Sequence, residues 1–533
     1  MAKRILFLLI GIGLSSPVAA ATPADRIHAD VAYLASDALE GRAAGSAGHA
    51  LAATYVERQL RAAGLQPAGE HGGFIQSVPL RRATLVPGST VARIGEGGRW
   101  QPLGRESLRV APSLSRAALD LSAGTLFVGF GIDEPTLATS DYAGLDARGK
   151  IVIAFAGAPP GLGSEIAAFV KSQKAAYAAA HGAVGYIEIP SWPIAGGAGD
   201  LGRDLALPVN GWAGQGEAGP SPDLAQLTIS SRLAERMFAG APTSLADLRR
   251  DALAGHRPAG FALRPTLSVA AHSSWIDSTS AQLFARVPGK DPTLMMQSIM
   301  LVAHLDHLGR VAPDRPGGDA IDNGALDNAA GVAILVEAAR RLTVERPGSR
   351  RSIVLLISTG EELGDVGSDY AVSHWPHAAG KPVAAIDLDM PLLLYHATDI
   401  AAPGGEHGAI GEALAAAGQL LGLTLSPDPM PQQELVTRSD HLRFLERGVP
   451  AALVVTGYAN GGEAAWADFL AHRYHQPSDD LAQPIRWNEE ARLALLIAGA
   501  ARRLADQPAL PAWNQGEFFA KRTARLAIRP AKD

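Results

Sequence analysis

His304, Asp306, Asp327, Glu361, Glu362, Asp389 and His475 interrupt an otherwise apolar half of the chain, and their types are those of a metal site. Imidazole and carboxylate donors suit borderline divalent ions such as Zn2+. The chain has no cysteine, so thiolate ligands and cysteine nucleophiles are excluded. A carboxylate set between two ions lets them share a water. One ion then polarises a carbonyl while the water loses its proton, and a free carboxylate has to carry that proton to the leaving group. Adjacent Glu361 and Glu362 suit such a division, one binding metal and the other acting as base. Alone, a Glu-Glu pair after a strand is more often a solvated helix start. The "HLDH" segment alone is equally weak, because a histidine at a strand end is commonly just hydrogen-bonded.

These residues need a scaffold that brings strand ends together. From Ser298 onward the pattern is strand, loop, helix, repeated: "SIMLVAH", "NAAGVAILVEAARRL", "SIVLLIS", "PVAAIDLDM" and "VPAALVVTG". Continuous apolar strands alternating with helices predict an α/β domain with a mostly parallel, mixed sheet covered by helices on both faces. Ligands collect outside the carboxyl ends of such strands. His304 and Asp306 follow the first strand, Glu361 and Glu362 the second, and Asp389 the third. Asp327 precedes a helix N-terminus, where the dipole favours a carboxylate, and His475 lies in a turn-rich loop after the last strand.

The chain of 533 residues exceeds the roughly 250 to 300 at which a single core stops growing, so two domains are expected. Residues 24 to 64 read as helical, with Leu51, Tyr55, Leu60 and Ala63 on one face and Gly64 and Pro67 as a stop. From about 113 the texture changes to short strand-like runs, "TLFVGFGI" and "KIVIAFAG", between turn residues. The expected division is a signal peptide at 1–20, an α/β domain at 21–112 and 273–510, a smaller β-rich insert at 113–272, and a C-terminal tail at 511–533. Lys3 and Arg4 before the apolar run Ile5 to Leu14, then small residues to Ala21, read as an export signal. That run is too short to span a bilayer of roughly 30 Å. The expected product is an exported protein, periplasmic or secreted, without stable membrane insertion. A net charge of -6 argues against a nucleic-acid partner. The basic stretch Lys521 to Lys532 reads as a solvated end.

"AHLDHLG", "GDAIDNGALDNAAG", "STGEELGDVGS", "IDLDM" and "YHQPSDD", in this order and spacing, resemble the aminopeptidase Y family of zinc exopeptidases, clan MH. "YLASDALEGRAAGSAGHALAATYVERQLRAAGLQPAG" resembles the family's lead-in, and "DYAGLDARGKIVIAFAG" its protease-associated insert. The resemblance implies two zinc ions. His304 and Asp389 would bind one, Glu362 and His475 the other, and Asp327 would bridge them. It implies Glu361 as general base, Asp306 as the residue orienting His304 through the imidazole's other nitrogen, and a cis peptide at Asp327-Asn328. Three positions depart from the family's usual residues, Leu326, Asp387 and Asp480, none of them an implied ligand.

Other signals are discounted. "GAGDLG", Gly197 to Gly202, lacks the strand-turn-helix context of a dinucleotide fingerprint, and no G-x-S-x-G elbow exists. In "RSDHLRF", Ser439 or Asp440 reads as a helix cap as readily as a site wall. Trp466, Phe469 and Tyr458 are candidates for an apolar specificity pocket, although aromatics at this spacing are more often core. His307 and His441 are not expected to be metal ligands.

The resulting expectation is a metallo-exopeptidase acting on peptides, an aminopeptidase in the first instance. A carboxypeptidase or dipeptidase with the same two-zinc site is the alternative. A single-zinc glutaminyl cyclase and a non-catalytic binding protein fit less well, because all six chemical positions are filled.

Overall fold

Four apolar segments become the centre of the sheet because each is buried on both faces. Ala451–Leu453, Lys381–Asp387, Gln297–His304 and Ser352–Ser358 lie side by side in that order, all parallel. Alternate side chains of one strand enter different cores: Ile299, Leu301 and Ala303 pack on one face, Met300 and Val302 on the other. That two-sided burial explains why these strands read as unbroken apolar runs rather than alternating ones. The register pairs His304 with Ser358 and Val302 with Asp387, so the polar residues that follow emerge from one edge of the sheet. The protein is thus of the expected α/β class, with a large mixed sheet flanked by helices.

This computed structural model describes residues 21–191, 207–215, 224–312, 318–345 and 347–528. The expected export signal and the "GAGDLG" segment lie outside the described residues.

The first face is covered by Pro23–Leu34, Ala47–Ala62, Ala330–Val344, Ala409–Gln419 and Trp487–Asp506, whose apolar residues share one core with the strands. Val366–Ser373 and His441–Glu446 contribute to the other. The stretch expected to be helical over 24–64 is two helices. Between them Asp37–Arg42 makes a short turn in which Glu40, Gly41 and Arg42 all have positive φ, at 47°, 71° and 52°. A helical periodicity carries no sign of such a break.

Past Ser352–Ser358 the sheet turns antiparallel. Its next strand, Phe261–Val287, pairs with Ser352–Ser358 through Leu283 to Val287 and with Ile75–Leu85 along Ser273 to Leu283. The same strand then pairs through Phe261 to His272 with Ala118–Phe127. Ile151–Phe155, Gly185–Ile189 and Ala225–Ile229 extend that second part of the sheet in parallel. Val91–Glu96, Arg99–Leu103 and Leu108–Val110 also pair there. The second part therefore begins before residue 113, and one strand crosses residue 272. The hairpin at 91–103 escaped notice because its outer strand is almost wholly exposed and so carries no apolar alternation.

The C-terminal stretch is not a solvated end throughout. Phe518–Ile528 is a helix. Phe518 and Phe519 pack edge-on against Phe169, and Arg522 lies over the Phe169 ring while donating to the carbonyls of Leu445 and Glu446.

Candidate metal centre

His304 is the last residue of its strand, and Asp389 lies two residues beyond Lys381–Asp387. The loop carrying Asp327 is tied to that second strand by Asn328. Its amide donates to the Leu388 carbonyl at 2.8 Å, and its oxygen accepts from Gly331 N–H at 3.1 Å. A Cβ on Gly331 would lie 2.1 Å from the Asn328 side-chain oxygen and 2.6 Å from the Leu388 carbonyl, so only glycine lets the helix start this close. The Asp327-Asn328 peptide is cis. Asp479 holds the loop from the other side, its carboxylate accepting from Leu326 N–H at 3.1 Å and Asp327 N–H at 3.0 Å.

Two donor groups result. His304 Nε2 lies 3.1 Å from Asp389 Oδ1 and 3.2 Å from Asp327 Oδ1. His475 Nε2 lies 3.2 Å from Glu362 Oε2 and 3.4 Å from Asp327 Oδ2. Donor atoms on a tetrahedral ion with bonds of about 2.0 to 2.1 Å stand roughly 3.3 Å apart. Both groups have that spacing, and Asp327 gives one oxygen to each. The donor set therefore fits a pair of zinc ions with Asp327 between them.

His307 also reaches this region, grouped with Asp327 and Glu362. Both its nitrogens are already engaged: Nδ1 faces Glu362 Oε1 at 2.6 Å and Nε2 faces Asp322 Oδ1 at 2.9 Å. It is placed to fix the Glu362 carboxylate, whereas His475 directs one nitrogen at both carboxylates. His441 is elsewhere, its backbone N–H donating to Asp387 Oδ2 at 3.0 Å. Asp306 differs in detail from the expectation. The nearest acceptor to His304 Nδ1 is the Asp306 main-chain carbonyl at 3.1 Å, with the carboxylate 4.0 Å away. That carboxylate accepts instead from Glu361 N–H at 3.3 Å.

The electrostatics are those of crowded acids. Burial raises Glu361 well above the usual carboxylate range, reinforced by Asp389, Asp365 and Glu362 and opposed by His304. Burial alone would lower His304, but Asp389, Glu361 and the hydrogen bond to Asp327 outweigh it and raise the imidazole well above its ordinary value. His475 is raised to about 9 because its bonds to Asp327 and Glu362 outweigh its burial. So much negative charge in one buried space would be offset by a cation held there.

Residues 282–501 match the sequence profile of Peptidase family M28. By that match the protein is a metallo-exopeptidase. Three solved structures resemble the chain along most of its length. They are an aminopeptidase from Aneurinibacillus sp. strain AM-1 (21% identity, 93% of this chain and 96% of that chain, TM-score 0.46), BSAP, a zinc aminopeptidase from Bacillus subtilis (18%, 93% and 97%, 0.43), and a peptidase M28 precursor from Shewanella amazonensis SB2B (19%, 91% and 96%, 0.40). Likeness at this level says nothing of the site. No curated protein matches the chain.

Within the M28 segment, a small cavity opens beside Asp327, Glu361, Asp389 and His475. Met390, Met430, Leu435, Leu453, Trp466 and Leu470 give it apolar walls, and Arg438 and Tyr474 add polar ones. Of the three aromatics considered from sequence, Trp466 lines it; Phe469 is buried in the core and Tyr458 packs against that core. Tyr474 was missed. It stacks on His475 with ring centroids 3.8 Å apart, and its hydroxyl accepts from Arg438 at 3.2 Å. Its place immediately before His475 was the available signal.

Proposed function

We propose that the protein is a two-zinc aminopeptidase that releases N-terminal residues from peptides. The reading is supported above all by the spacing of the two donor groups, with Asp327 offering one oxygen to each. His304, Asp327 and Asp389 would hold one ion, and Asp327, Glu362 and His475 the other. When bound, such a pair polarises the scissile carbonyl and lowers the pKa of water at the site.

The remaining steps belong to the chain's own groups. Glu361 lines the cavity beside Asp327 and Asp389, where its carboxylate would accept a proton from the attacking water and pass it to the leaving amine nitrogen. Asp306 holds the Glu361 backbone. The apolar walls take the first residue's side chain and exclude water from it.

Glu361→Gln keeps the ligands and loses the base. The expected result is zinc content equal to the parent and kcat reduced by about 10²- to 10⁴-fold. Undiminished turnover in this variant refutes the role given to Glu361.

One observation favours a second reading. Among the described residues, the guanidinium of Arg438 at the cavity wall bonds two neutral groups, Gln433 at 2.9 Å and the Tyr474 hydroxyl at 3.2 Å. It is placed to receive a carboxylate, as a carboxypeptidase or dipeptidase requires. We also propose export by the N-terminal segment, which sequencing of the mature N-terminus tests, and an inserted protease-associated domain, for which the second part of the sheet is the candidate.

A further inference from the structure

We propose that Arg42 is a positioning residue for the zinc site, supplied by an N-terminal turn outside the M28 segment. The proposal rests on the reading that His304, Asp327, Glu362, Asp389 and His475 hold zinc.

Arg42 is 1% exposed. Its guanidinium donates from Nε to the Leu305 carbonyl at 3.0 Å, from Nη1 to Asn323 at 2.6 Å and also to Leu34, and from Nη2 to Gly324 at 3.0 Å. Leu305 sits between His304 and Asp306, and Asn323 and Gly324 lead into the loop that carries Asp327. One rigid fork of donors therefore spans the two segments that present the first imidazole and the shared carboxylate. The link runs in the other direction too, since the Arg42 carbonyl accepts from His307 N–H at 3.3 Å.

The turn is built to reach this position. Gly41 presses against the facing hairpin, and a Cβ there would lie 2.4 Å from the Asp322 carbonyl and 2.6 Å from that of Gly309. The flanking Glu40 and Arg42 hold left-handed backbone without being glycine, a conformation that persists only where surrounding structure over-determines it. Asp37 adds a bond from the Asn323 amide at 3.0 Å.

The charge matters as well as the fork. Among the described residues its hydrogen bonds go to main-chain carbonyls, and the acidic groups acting on it are Asp479, Asp306, Asp327 and Asp322. A buried cation held by carbonyls alone costs more than an apolar side chain of the same volume would. Its presence is accounted for by fixing two loops inside a field of carboxylates, which an apolar residue cannot do.

The test uses the full chain stripped of metal and titrated with zinc against a chromogenic chelator. Arg42→Lys and Arg42→Ala are expected to bind zinc about 10- to 100-fold more weakly with parental far-UV circular dichroism. Millimolar guanidinium chloride, but not sodium chloride, should restore affinity in Arg42→Ala. Folded variants that bind zinc as tightly as the parent overturn the proposal. Should the variants fail to fold, hydrogen exchange of the parent decides. Zinc should slow exchange across residues 37–42 together with 305–307, and unchanged exchange at 37–42 overturns it. A parent that binds no zinc defeats the functional reading itself, which the other outcomes leave standing.

Discussion

Replacing Asp479 by alanine should cost the protein most of its zinc affinity although Asp479 is not among the candidate ligands. The Asp479 carboxylate is fully buried and accepts from Leu326 N–H, Asp327 N–H and, at 2.6 Å, the Gln483 amide. Burial raises its own pKa to about 6, aided by the Asp327 charge and opposed by the bond from Leu326. Much of what its bonds contribute is thus offset by the cost of enclosing a charge, and deleting it recovers that cost. What alanine leaves behind is two backbone N–H groups without a buried partner, each costing about 1 to 1.5 kcal/mol. They can find water only if the loop moves and takes Asp327 with it. Zinc binding must then return the loop, so about 2 to 3 kcal/mol is subtracted from binding, a factor of about 30 to 150. Because Asp327 faces both donor groups, both sites should weaken together. Competition against a chromogenic chelator near pH 7.5 measures this, with Asp480→Ala as control, since among the described residues the Asp480 carboxylate accepts one bond, from Ala482 N–H. Two sites of parental affinity in a folded Asp479→Ala protein would refute the argument that this carboxylate positions Asp327.

Three further outcomes are expected. His49 is buried, and desolvation with the nearby Arg42 charge lowers its pKa to about 3. Between about pH 6.5 and 3 the unfolded chain binds the extra proton, so stability falls as pH falls, by about 1.4 kcal/mol per pH unit from this group. His49→Gln should lose less melting temperature between pH 7 and 5 than the parent, and equal losses contradict the assignment. The apolar cavity should favour leucyl over glycyl substrates by about 30-fold in kcat/KM, the worth of burying one such side chain at about 2 kcal/mol. A blocked amino terminus should abolish cleavage, whereas cleavage of blocked substrates with a free carboxylate would favour the Arg438 reading.

The parallel strands were legible because two-sided burial writes them as unbroken apolar runs, and polar residues at their ends stood out against that background. Hence His304, Glu361, Glu362 and Asp389 could be picked out and set at one edge of the sheet. The relations between loops were not legible. Arg42, Asn328 and Asp479 act mainly through backbone carbonyls and N–H groups, which have no residue-type signature. Sequence gave no reason to prefer the Asp306 carbonyl over its carboxylate as the partner of His304. The contacts of His307, whose nitrogens face Glu362 and Asp322, were likewise not legible. The strand Phe261–Val287 runs through both parts of the sheet, and no composition change marks where one ends.

Zinc content and hydrolysis of leucyl p-nitroanilide, measured on the same purified protein before and after chelation, test the central claim most directly. The account predicts two zinc ions per chain, loss of activity when they are removed, and its return on adding zinc back. Activity that survives complete removal of metal, or a folded chain that binds no divalent ion, would contradict it.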